Sequence, residues 1–252
     1  MVSAMWSGEW EIRWLEQVDS TNSYVRDQAR RGVPEGLVVA ADHQTAGRGR
    51  LDRRWESPPG ANLLASFLLR PDCDAADAHL CTAAVALAGA DACGELAGVE
   101  PLLKWPNDLL VGDAKLAGVL AEVEFEGGAL AAVVVGIGIN VAWPGPADAR
   151  GTCLDDVRVT AQPVDRRQLL ERVVAGLTRR RTLLDAATGR RALADEMRRR
   201  CGTLGRTVRV TLAAEEFSGL ASGIDDAGQL LVETAGGTRR VQAGDVVHVR
   251  PS

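Results

Sequence analysis

The stretch KWPNDLLVGDAKLAG, residues 104–118, determines how the middle of this chain folds. Its apolar pattern predicts a short strand at residues 102–105 and a β-hairpin over residues 108–125. It also holds Lys104 and Lys115, the two lysines among 29 lysines and arginines. Because arginine fills the other cationic positions, we expect both lysines where a compact point charge is required. The alternative, a lysine that extends from a strand edge into solvent, applies more to Lys104.

Composition limits the class of protein. With 252 residues, 46% of them hydrophobic, the chain can bury a core as one large domain or as a large domain plus a small one. No run of 18 apolar residues occurs, and residues 1–10 have neither a basic nor an apolar signal region. We therefore expect a cytoplasmic protein that neither spans a membrane nor is secreted.

Cysteines and histidines indicate neither a disulfide framework nor a metal site. The five cysteines are odd in number and never form CxxC, so we expect reduced thiols in or near the core: Cys73, Cys81, Cys93, Cys153 and Cys201. The three histidines are scattered, at His43, His79 and His248. No metal-ligand cluster is visible in this pattern, and we predict no metal site in the protein itself.

Charge gives the chain no general attraction to nucleic acid, since the formal net charge is −5. Arginines nevertheless crowd residues 166–206, where they occur in RR and RRR runs. Apolar residues recur in the same region at helical spacing. We interpret this pattern as two amphipathic helices whose basic faces meet solvent.

The DSTN segment, residues 19–22, marks the start of a helix. Apolar residues alternate over residues 9–18 and predict a strand that ends at this segment. All four residues of DSTN are good N-cap residues, and we expect the helix to reach Arg31, with Gly32 as its C-cap. Because one cap residue is enough, the segment has polar side chains to spare for another role.

The rest of the first 204 residues mixes strands and helices without strict alternation. Strands are predicted at residues 37–42, 62–69 and 130–137, and an alanine-rich helix is predicted at residues 75–96. This order favours an α+β domain, residues 1–204, in which a mixed sheet carries its helices on one face.

The chain changes character after Leu204. From Thr207 onward it contains five short strand patterns, TVRVTL, FSGLASGI, QLLVET, TRRVQ and DVVHV, separated by turn residues. Strands this short and evenly spaced predict a small β-barrel of SH3-like size. We therefore expect a second domain at residues 205–252.

The commonest nucleotide-binding and hydrolase motifs are missing. Neither lysine follows a glycine, so the sequence has no P-loop. GIGIN, residues 136–140, ends a predicted strand but lacks the third glycine of a dinucleotide-binding fingerprint. The chain contains no GxSxG and no HExxH. Any site for phosphates must therefore be built in another way.

The loop AGRGRLDRRW, residues 46–55, is the better candidate for binding an anion. Its glycines allow the backbone to approach a ligand closely, and Arg48, Arg50 and Arg53 supply planar forks that suit phosphate or carboxylate. A solvated loop could contain the same residues by chance. The dense mixture of arginine and glycine between two apolar strands favours the anion-binding interpretation.

Five motifs together resemble one family. DSTN, Gln44 with AGRGR, KWPND, KLAG and GIGIN, in this order and at these spacings, resemble the biotin protein ligases, also called biotin–[acetyl-CoA-carboxylase] ligases. Each motif alone is modest, but the ordered set is specific and spans nearly the whole chain. The resemblance implies a catalytic domain like that of class II aminoacyl-tRNA synthetases, with helices on one side of the sheet, followed by an SH3-like module.

A two-step, ATP-dependent reaction is what the resemblance implies. Biotin and MgATP first give biotinyl-5′-AMP and pyrophosphate. The biotinyl group then passes to one lysine of the biotin carboxyl carrier domain of an acyl-CoA carboxylase, and AMP is released. The expected partners are biotin, ATP with Mg²⁺ and the carrier domain, and the protein is expected to be a monomer or a weak homodimer.

The same resemblance assigns contacts with biotin. The DSTN segment and Gln44 correspond to contacts with the biotin head group, and the arginine-containing loop corresponds to one that closes over biotin and the adenylate. The residues implied to bind biotin are Ser20, Thr21, Asn22, Gln44, Arg48, Gly49, Arg50 and Lys115.

Catalysis and nucleotide binding are assigned in the same way. Lys115 corresponds to a lysine at the biotin carboxylate and the α-phosphate, and Arg48 and Arg50 correspond to cations of the closing loop. Asp108 corresponds to an aspartate that orients or deprotonates the acceptor lysine. The residues implied to contact the nucleotide are Arg50, Arg53, Asn107, Lys115 and Asn140.

The chain departs from the family pattern in two places. Leu51 stands where some members carry another basic residue, so closure of the loop would use fewer cations. Only about ten residues precede the first predicted strand, whereas bifunctional members begin with a helix-turn-helix domain. We therefore expect no DNA binding by that route.

Two alternatives stay open at this point. A lipoate or octanoate ligase or transferase has a related fold and also uses a lysine, but its acyl chain lacks the ureido ring that DSTN would bind. A biotin-sensing regulator or an inactive binding module is the alternative from another class. The presence of Lys115, Arg48 and Arg50 argues against it.

Overall fold

Two β-sheets organise the structure, a computed structural model that describes residues 3–7, 9–51, 53–147, 149–212, 215–242 and 245–249. The strands of the first sheet are β1 (Ser3–Ser7), β2 (Trp10–Val18), β3 (Leu37–Gln44), β4 (Leu63–Leu69), β5 (Leu102–Lys104), β6 (Asp108–Val111), β7 (Ala114–Glu126) and β8 (Ala129–Ile139). The strands of the second sheet are β9 (Thr207–Thr211), β10 (Glu216–Ile224), β11 (Leu230–Thr234), β12 (Gly237–Val241) and β13 (Asp245–His248).

The first sheet is mixed, as predicted. Its order is β1-β2-β3-β4-β8-β7-β6-β5, in which β2 and β3 are parallel and the other neighbours are antiparallel. The predicted hairpin is formed by β6 and β7. Sequence patterns placed the first strand at residues 9–18, and this was incomplete, because β1 pairs with β2 along the edge of the sheet.

Five α-helices are described, with a short 3₁₀ turn before α2 and another after α4. They are α1 (Thr21–Arg30), α2 (His79–Ala97), α3 (Leu154–Val157), α4 (Arg166–Arg181) and α5 (Ala187–Arg199). Ser20 is the N-cap of α1, and Gly32 follows its C-cap with a φ of 80°, a conformation that favours glycine. The predicted start is therefore confirmed, while the helix ends one residue earlier than predicted, at Arg30 with Arg31 as its C-cap.

Helices cover both faces of the first sheet, which corrects the prediction of helices on one face. Val38 and Ala40 of β3 pack in one core with α2 and α4. The alternate residues Val39 and Ala41 pack on the opposite face with Val25 of α1. Because successive side chains of a strand point to opposite faces, α1 must lie on the other side of the sheet from α2.

Helix α2 is the central helix of the larger core. Together with the 3₁₀ turn before it, the segment Ala75–Ala97 is long and apolar enough to cross a membrane by length and composition alone, yet 72% of its most apolar stretch is buried in the protein. Its alanines and Leu87 pack against α4 and the first sheet. This burial is that of the core helix of a globular domain.

One arginine of α4 departs from the predicted basic solvent face. Arg180 is 8% exposed, and its guanidinium donates to Asp91 Oδ2 at 2.7 Å and to Glu196. These carboxylates come from α2 and α5, so the buried cation joins three helices. A guanidinium in the interior requires such partners, because an unpaired buried charge is strongly destabilising.

The second sheet has five antiparallel strands in the order β12-β11-β10-β9-β13. The five strands predicted after Leu204 are thus confirmed, while closure into a barrel stays a prediction. Trp105, from the KWPND segment, packs in the core of this sheet at 6% exposure and donates from Nε1 to Gly228 O at 3.0 Å. The opening stretch therefore joins the two sheets.

Candidate active site

A cavity of about 1340 Å³ lies between the first sheet, the loop after β3 and the second sheet. The sequence motifs come from distant parts of the chain, but the fold brings them to this one place. All twelve predicted site residues line the cavity: Ser20, Thr21, Asn22, Gln44, Arg48, Gly49, Arg50, Arg53, Asn107, Asp108, Lys115 and Asn140.

The start of α1 forms part of the cavity wall. Ser20 takes the capping position, so the other polar residues of DSTN are free for different contacts. Thr21 donates to Gln44 Oε1 from its backbone nitrogen at 2.7 Å and from its hydroxyl at 2.9 Å. Because both donors use Oε1, Gln44 Nε2 is the end of this side chain that can donate to a ligand.

Asn22 is held from both ends of its amide. Its Nδ2 donates to Glu122 Oε2 at 2.8 Å and to Leu120 O at 3.2 Å, and its Oδ1 lies 2.6 Å from the Ser66 hydroxyl. A side chain at Gly136 would approach Asn22 Oδ1 to 2.3 Å. The glycine in β8 therefore makes room for an amide whose orientation the protein fixes.

Lys115 and Asp108 meet across the β6–β7 hairpin. Lys115 Nζ lies 2.7 Å from Asp108 Oδ1 and 5.5 Å from the ring centroid of Trp55. Its backbone is fixed as well, since Lys115 N donates to Arg150 O at 3.0 Å and Lys115 O accepts from Thr152 N at 2.9 Å. The side chain is 34% exposed, so the ammonium faces the cavity with one carboxylate beside it.

Trp55 ends the AGRGRLDRRW motif, and the sequence patterns predicted no role for it. The structure places Trp55 in the wall of the cavity. A side chain at Gly118 or Gly138 would meet its indole at 2.8 Å or 2.4 Å. Within the part of the chain that the structure describes, the buried indole Nε1 has no hydrogen-bond partner. The sequence does hold a signal for this contact, the glycines Gly118 and Gly138 inside β7 and β8. A glycine within a strand often marks a place where another group approaches the backbone closely.

Residues 47–51 and 53–55, here called the arginine loop, form the paired arms of a small hairpin over the cavity. Gly49 N donates to Arg53 O at 2.6 Å, and Trp55 N donates to Gly47 O at 3.0 Å. Leu51 lies at the exposed turn with a φ of 54°. The glycines predicted to give the backbone freedom thus lie at the base and near the tip of a folded hairpin.

Each of three arginines fastens this loop to a different partner. Arg48 Nη2 donates to Glu122 Oε2 on β7 at 2.8 Å. Arg50 Nη1 donates to Asn107 Oδ1 in the KWPND segment at 3.4 Å. Arg53 Nη2 donates to Asp245 Oδ2 on β13 at 2.6 Å. Burial lowers the pKa of Arg50, which the charges of Asp108 and Asp245 oppose. The half-buried Arg50 therefore favours an anion in the cavity.

The side-chain amides of Asn107 and Asn140 are both fixed by hydrogen bonds to backbone carbonyl groups. Asn107 Nδ2 donates to Val119 O at 2.7 Å, which leaves its Oδ1 for Arg50. Asn140 is buried, and its Nδ2 donates to the carbonyl oxygens of Pro144 and Thr152, both at 3.0 Å. Its predicted contact with adenine stays a prediction, and the geometry shows a residue that holds Pro144 and Thr152, the described ends of a loop.

Lys104 lines the same cavity as Lys115 and adds positive charge near the second sheet. The hydrogen bond from Arg53, followed by the charges of Arg53, Lys104 and Arg50, lowers the pKa of Asp245. Burial, followed by the charges of Arg206 and Lys104, lowers the pKa of His248 to about 4. Lys104 therefore contributes a positive charge where β13 meets the cavity.

Metal ligands are not assembled at this site. The described ranges of the chain bring together no group of three or more His, Cys, Asp or Glu side chains that could hold a metal ion.

Sequence comparison identifies the class of protein that this fold and cavity represent. Residues 14–140 match the Biotin/lipoate A/B protein ligase family, and residues 203–249 match the Biotin protein ligase C terminal domain. The chain belongs to the biotin/lipoate A/B protein ligase family.

Individual relatives give a more specific match than the family as a whole. The chain is 37% identical over 251 residues to the biotin–[acetyl-CoA-carboxylase] ligase of Mycobacterium tuberculosis, which covers 97% of this chain and 91% of the relative. The enzyme of the same name from Paracoccus denitrificans is 33% identical over 238 residues, 92% of this chain and 98% of the relative. The biotin protein ligase of Aquifex aeolicus in complex with biotin and ATP superposes with a TM-score of 0.78 at 28% identity, covering 95% and 99% of the two chains.

Proposed function

We propose that this protein is an ATP-dependent biotin ligase. It converts biotin and ATP into biotinyl-5′-AMP and pyrophosphate, and then transfers the biotinyl group to a lysine of the biotin carboxyl carrier domain of a biotin-dependent carboxylase, releasing AMP. The observation that carries this proposal is that Lys115, the arginine loop and Ser20, Thr21 and Asn22 of the DSTN segment line one cavity.

Charge repulsion is the obstacle that the cavity must overcome. A carboxylate brought within about 4 Å of a phosphate oxygen is repelled by about 4 kcal/mol at an effective dielectric near 20, compared with about 1 kcal/mol in water. The Lys115 ammonium can lie between the two oxyanions as charge develops, and Arg48 and Arg50 can bind oxygens bidentately. These three cations offset the repulsion between the carboxylate and the phosphate and so make adenylation of biotin possible.

The biotin head group needs a different environment. Its ureido ring presents a planar set of donors and acceptors, which apolar walls alone cannot orient. Ser20, Thr21, Asn22 and Gln44 supply hydroxyls and amides to the cavity wall, and Gly49 lines the same cavity. This arrangement supports biotin over lipoate, whose acyl chain offers no ureido group.

Asp108 has two roles in the proposed reaction. Its 2.7 Å contact with Lys115 Nζ holds the ammonium in place during adenylation. In the transfer step the same carboxylate orients the acceptor lysine or accepts its proton. Arg53 and Asn107 would contact the nucleotide, and Asn140 would act on it through the loop that it holds.

Magnesium enters this reaction with ATP. Mg²⁺ is bound in such sites mainly by phosphate oxygens and water, so the lack of a carboxylate cluster in the described residues fits an ion that is carried by the substrate. When bound, it neutralises phosphate charge and favours departure of pyrophosphate.

The domain boundaries, the cellular location and the oligomeric state are also proposals. Residues 1–204 would form the catalytic domain, like that of class II aminoacyl-tRNA synthetases, and residues 205–252 an SH3-like barrel that covers the cavity through β13. A cytoplasmic location is supported by five free cysteines, four of them buried. We expect a monomer or a weak homodimer that binds its substrates without DNA or a membrane.

One assay separates the candidate functions. The purified protein is incubated with MgATP and either biotin or lipoate, and the acyl-adenylate is sought by mass spectrometry; a biotin carboxyl carrier domain is then added. We expect biotinyl-5′-AMP first and a biotinylated lysine after the addition. A lipoyl product in place of the biotinyl one would favour the lipoate ligase, and no adenylate with either acid would indicate an inactive binding module.

A further inference from the structure

Glu122 of β7 joins three parts of the site through one carboxylate. Its Oε2 accepts from Asn22 Nδ2 and from Arg48 Nη2, both at 2.8 Å, and its Oε1 accepts from Arg26 Nη1 at 2.7 Å. The side chain is 17% exposed, and two of its three donors are guanidiniums, which form stronger hydrogen bonds than neutral groups. Glu122 therefore links helix α1 and the proposed biotin site to the arginine loop.

The contact between Arg48 and Glu122 is the part of this network that can open. Arg48 is 41% exposed, and its Nη2 also donates to the Ser23 hydroxyl at 3.2 Å. A smaller cavity of about 530 Å³ lies between the arginine loop and residues Leu120 and Glu122. A long side chain, rather than close packing of the backbone, thus connects the loop to β7 on this side.

Glu122 is also connected to the proposed biotin site, through its hydrogen bond with Asn22. The Asn22 amide is oriented by Glu122 at one end and by Ser66 at the other. Movement of Glu122 would therefore disturb both the loop and the wall at the proposed biotin site. A residue with both contacts can make closure of the loop depend on the arrangement of the biotin site.

We propose that Glu122 is a positioning residue that holds the arginine loop closed through Arg48 and thereby slows the escape of biotinyl-5′-AMP from the cavity. The effect on biotinyl-5′-AMP rests on the proposed function, whereas the effect on the loop does not. Glu122 touches neither the reacting carboxylate nor the phosphate in this proposal, and it acts through Arg48 and Asn22.

Glu124 provides a matched control on the same strand. It is 17% exposed, like Glu122, and it accepts from Arg26 Nε at 2.7 Å and from Arg30 Nε at 3.0 Å. Among the described residues, its hydrogen-bond partners lie on α1 and not on the arginine loop. Glu124→Gln therefore removes a comparable charge and a comparable contact with α1, without removing the contact with Arg48.

The first measurement uses the full chain without ligand. Trypsin cleavage after Arg48, Arg50, Arg53 and Arg54 is followed by mass spectrometry in the wild type, Glu122→Gln and Glu124→Gln. We expect cleavage in the loop to be about 3- to 10-fold faster in Glu122→Gln, as loss of one charge-assisted contact implies, and within about 2-fold of wild type in Glu124→Gln. Equal rates in the two variants would overturn the proposal.

The second measurement follows retention. Each protein is loaded with biotin and MgATP and desalted, and the release of biotinyl-5′-AMP is timed. We expect release to be about 3- to 10-fold faster in Glu122→Gln, with no further acceleration by Glu122→Gln in an Arg48→Gln background. Release at the wild-type rate, or additive acceleration, would overturn the role in retention. If the wild type forms no biotinyl-5′-AMP, the proposed function and the retention role both fail, while the cleavage result still decides the loop contact.

Discussion

The two sides of the cavity are held by different kinds of interaction. At the start of α1, Thr21, Asn22 and Ser66 are at most 4% exposed and are joined by short hydrogen bonds. The arginine loop on the other side is fastened by Arg48 and Arg53, whose side chains are 41% and 63% exposed. One side is therefore built from buried polar groups and the other from ion pairs that water can reach.

This difference assigns separate tasks to the two sides. Buried polar groups that are fully hydrogen-bonded are costly to disturb, so the α1 side is fixed before a ligand arrives. Exposed ion pairs contribute about 0–1 kcal/mol each, so the loop can open and admit substrates at modest cost. Lys115 belongs to the fixed side, because its strand and its backbone hydrogen bonds hold it.

Replacement of Lys115 by arginine is the change expected to have the largest effect. A guanidinium keeps the charge but cannot fit between two oxyanions as a compact ammonium does. We expect the rate of biotinyl-5′-AMP formation to fall by about 10²- to 10³-fold, the loss typical when one group that stabilises a developing oxyanion is removed. Single-turnover assays with biotin and MgATP would measure it.

Lys104→Arg is the matched control, since it makes the same chemical change in the same stretch of sequence. Lys104 contributes positive charge near Asp245 and His248, where a cation of either shape suffices, and we expect adenylation within about 3-fold of wild type. Near-wild-type adenylation by Lys115→Arg, or equal losses in the two variants, would contradict the need for a compact ammonium at Lys115.

The sequence predicted the fixed side better than its surroundings. The hairpin pattern was enough to place Asp108 and Lys115 on adjacent strands, and the surplus of cap residues in DSTN indicated its polar role. Which face of the sheet α1 covers could not be predicted, because the order of elements does not specify the side. The short edge strand β1 depends on its pairing with β2, and its own five residues give a weak pattern.

The loop side depends on long-range contacts that sequence patterns do not reveal. Glu122 lies 74 positions after Arg48, in a strand whose alternation gives no sign that one carboxylate serves a distant loop. Trp55 was visible in its motif, but its place against Gly118 and Gly138 follows from the packing of three separate segments. Such contacts are fixed by tertiary structure, whereas the local motifs are fixed by backbone geometry.

Gly138→Ala tests how closely the loop is packed on the fixed side. The added methyl group would lie 2.4 Å from the Trp55 ring, and overpacking of this kind typically costs about 1–3 kcal/mol of unfolding free energy. In a Trp55→Ala background we expect most of that loss to disappear, because the partner of the clash is gone. Denaturant unfolding of the four proteins in this double-mutant cycle measures the coupling. Equal losses in both backgrounds would show that the ring does not rest on Gly138.

Asp245→Asn tests the weakest fastening and should have the smallest effect. Arg53 and Asp245 lie 2.6 Å apart but are 63% and 39% exposed, so after screening by solvent we expect a loss below about 1 kcal/mol near neutral pH. The hydrogen bond from Arg53 lowers the pKa of Asp245 below its usual value of 3.8. The stabilisation is therefore fully present above that value and is lost as the pH falls through the lowered pKa.

Unfolding of the wild type and Asp245→Asn between about pH 6 and about pH 3 would measure this contribution. We expect the difference between the two proteins to shrink as Asp245 becomes protonated, and to shrink also when salt is raised from about 0.1 M to about 1 M, since screening weakens exposed pairs. Asp226→Asn is a suitable control, because its partner Arg198 lies on α5, away from the loop. A difference that stays constant with pH would mean that the charge of Asp245 does not hold the loop, and the loop side would then depend on Arg48, Arg50 and Trp55.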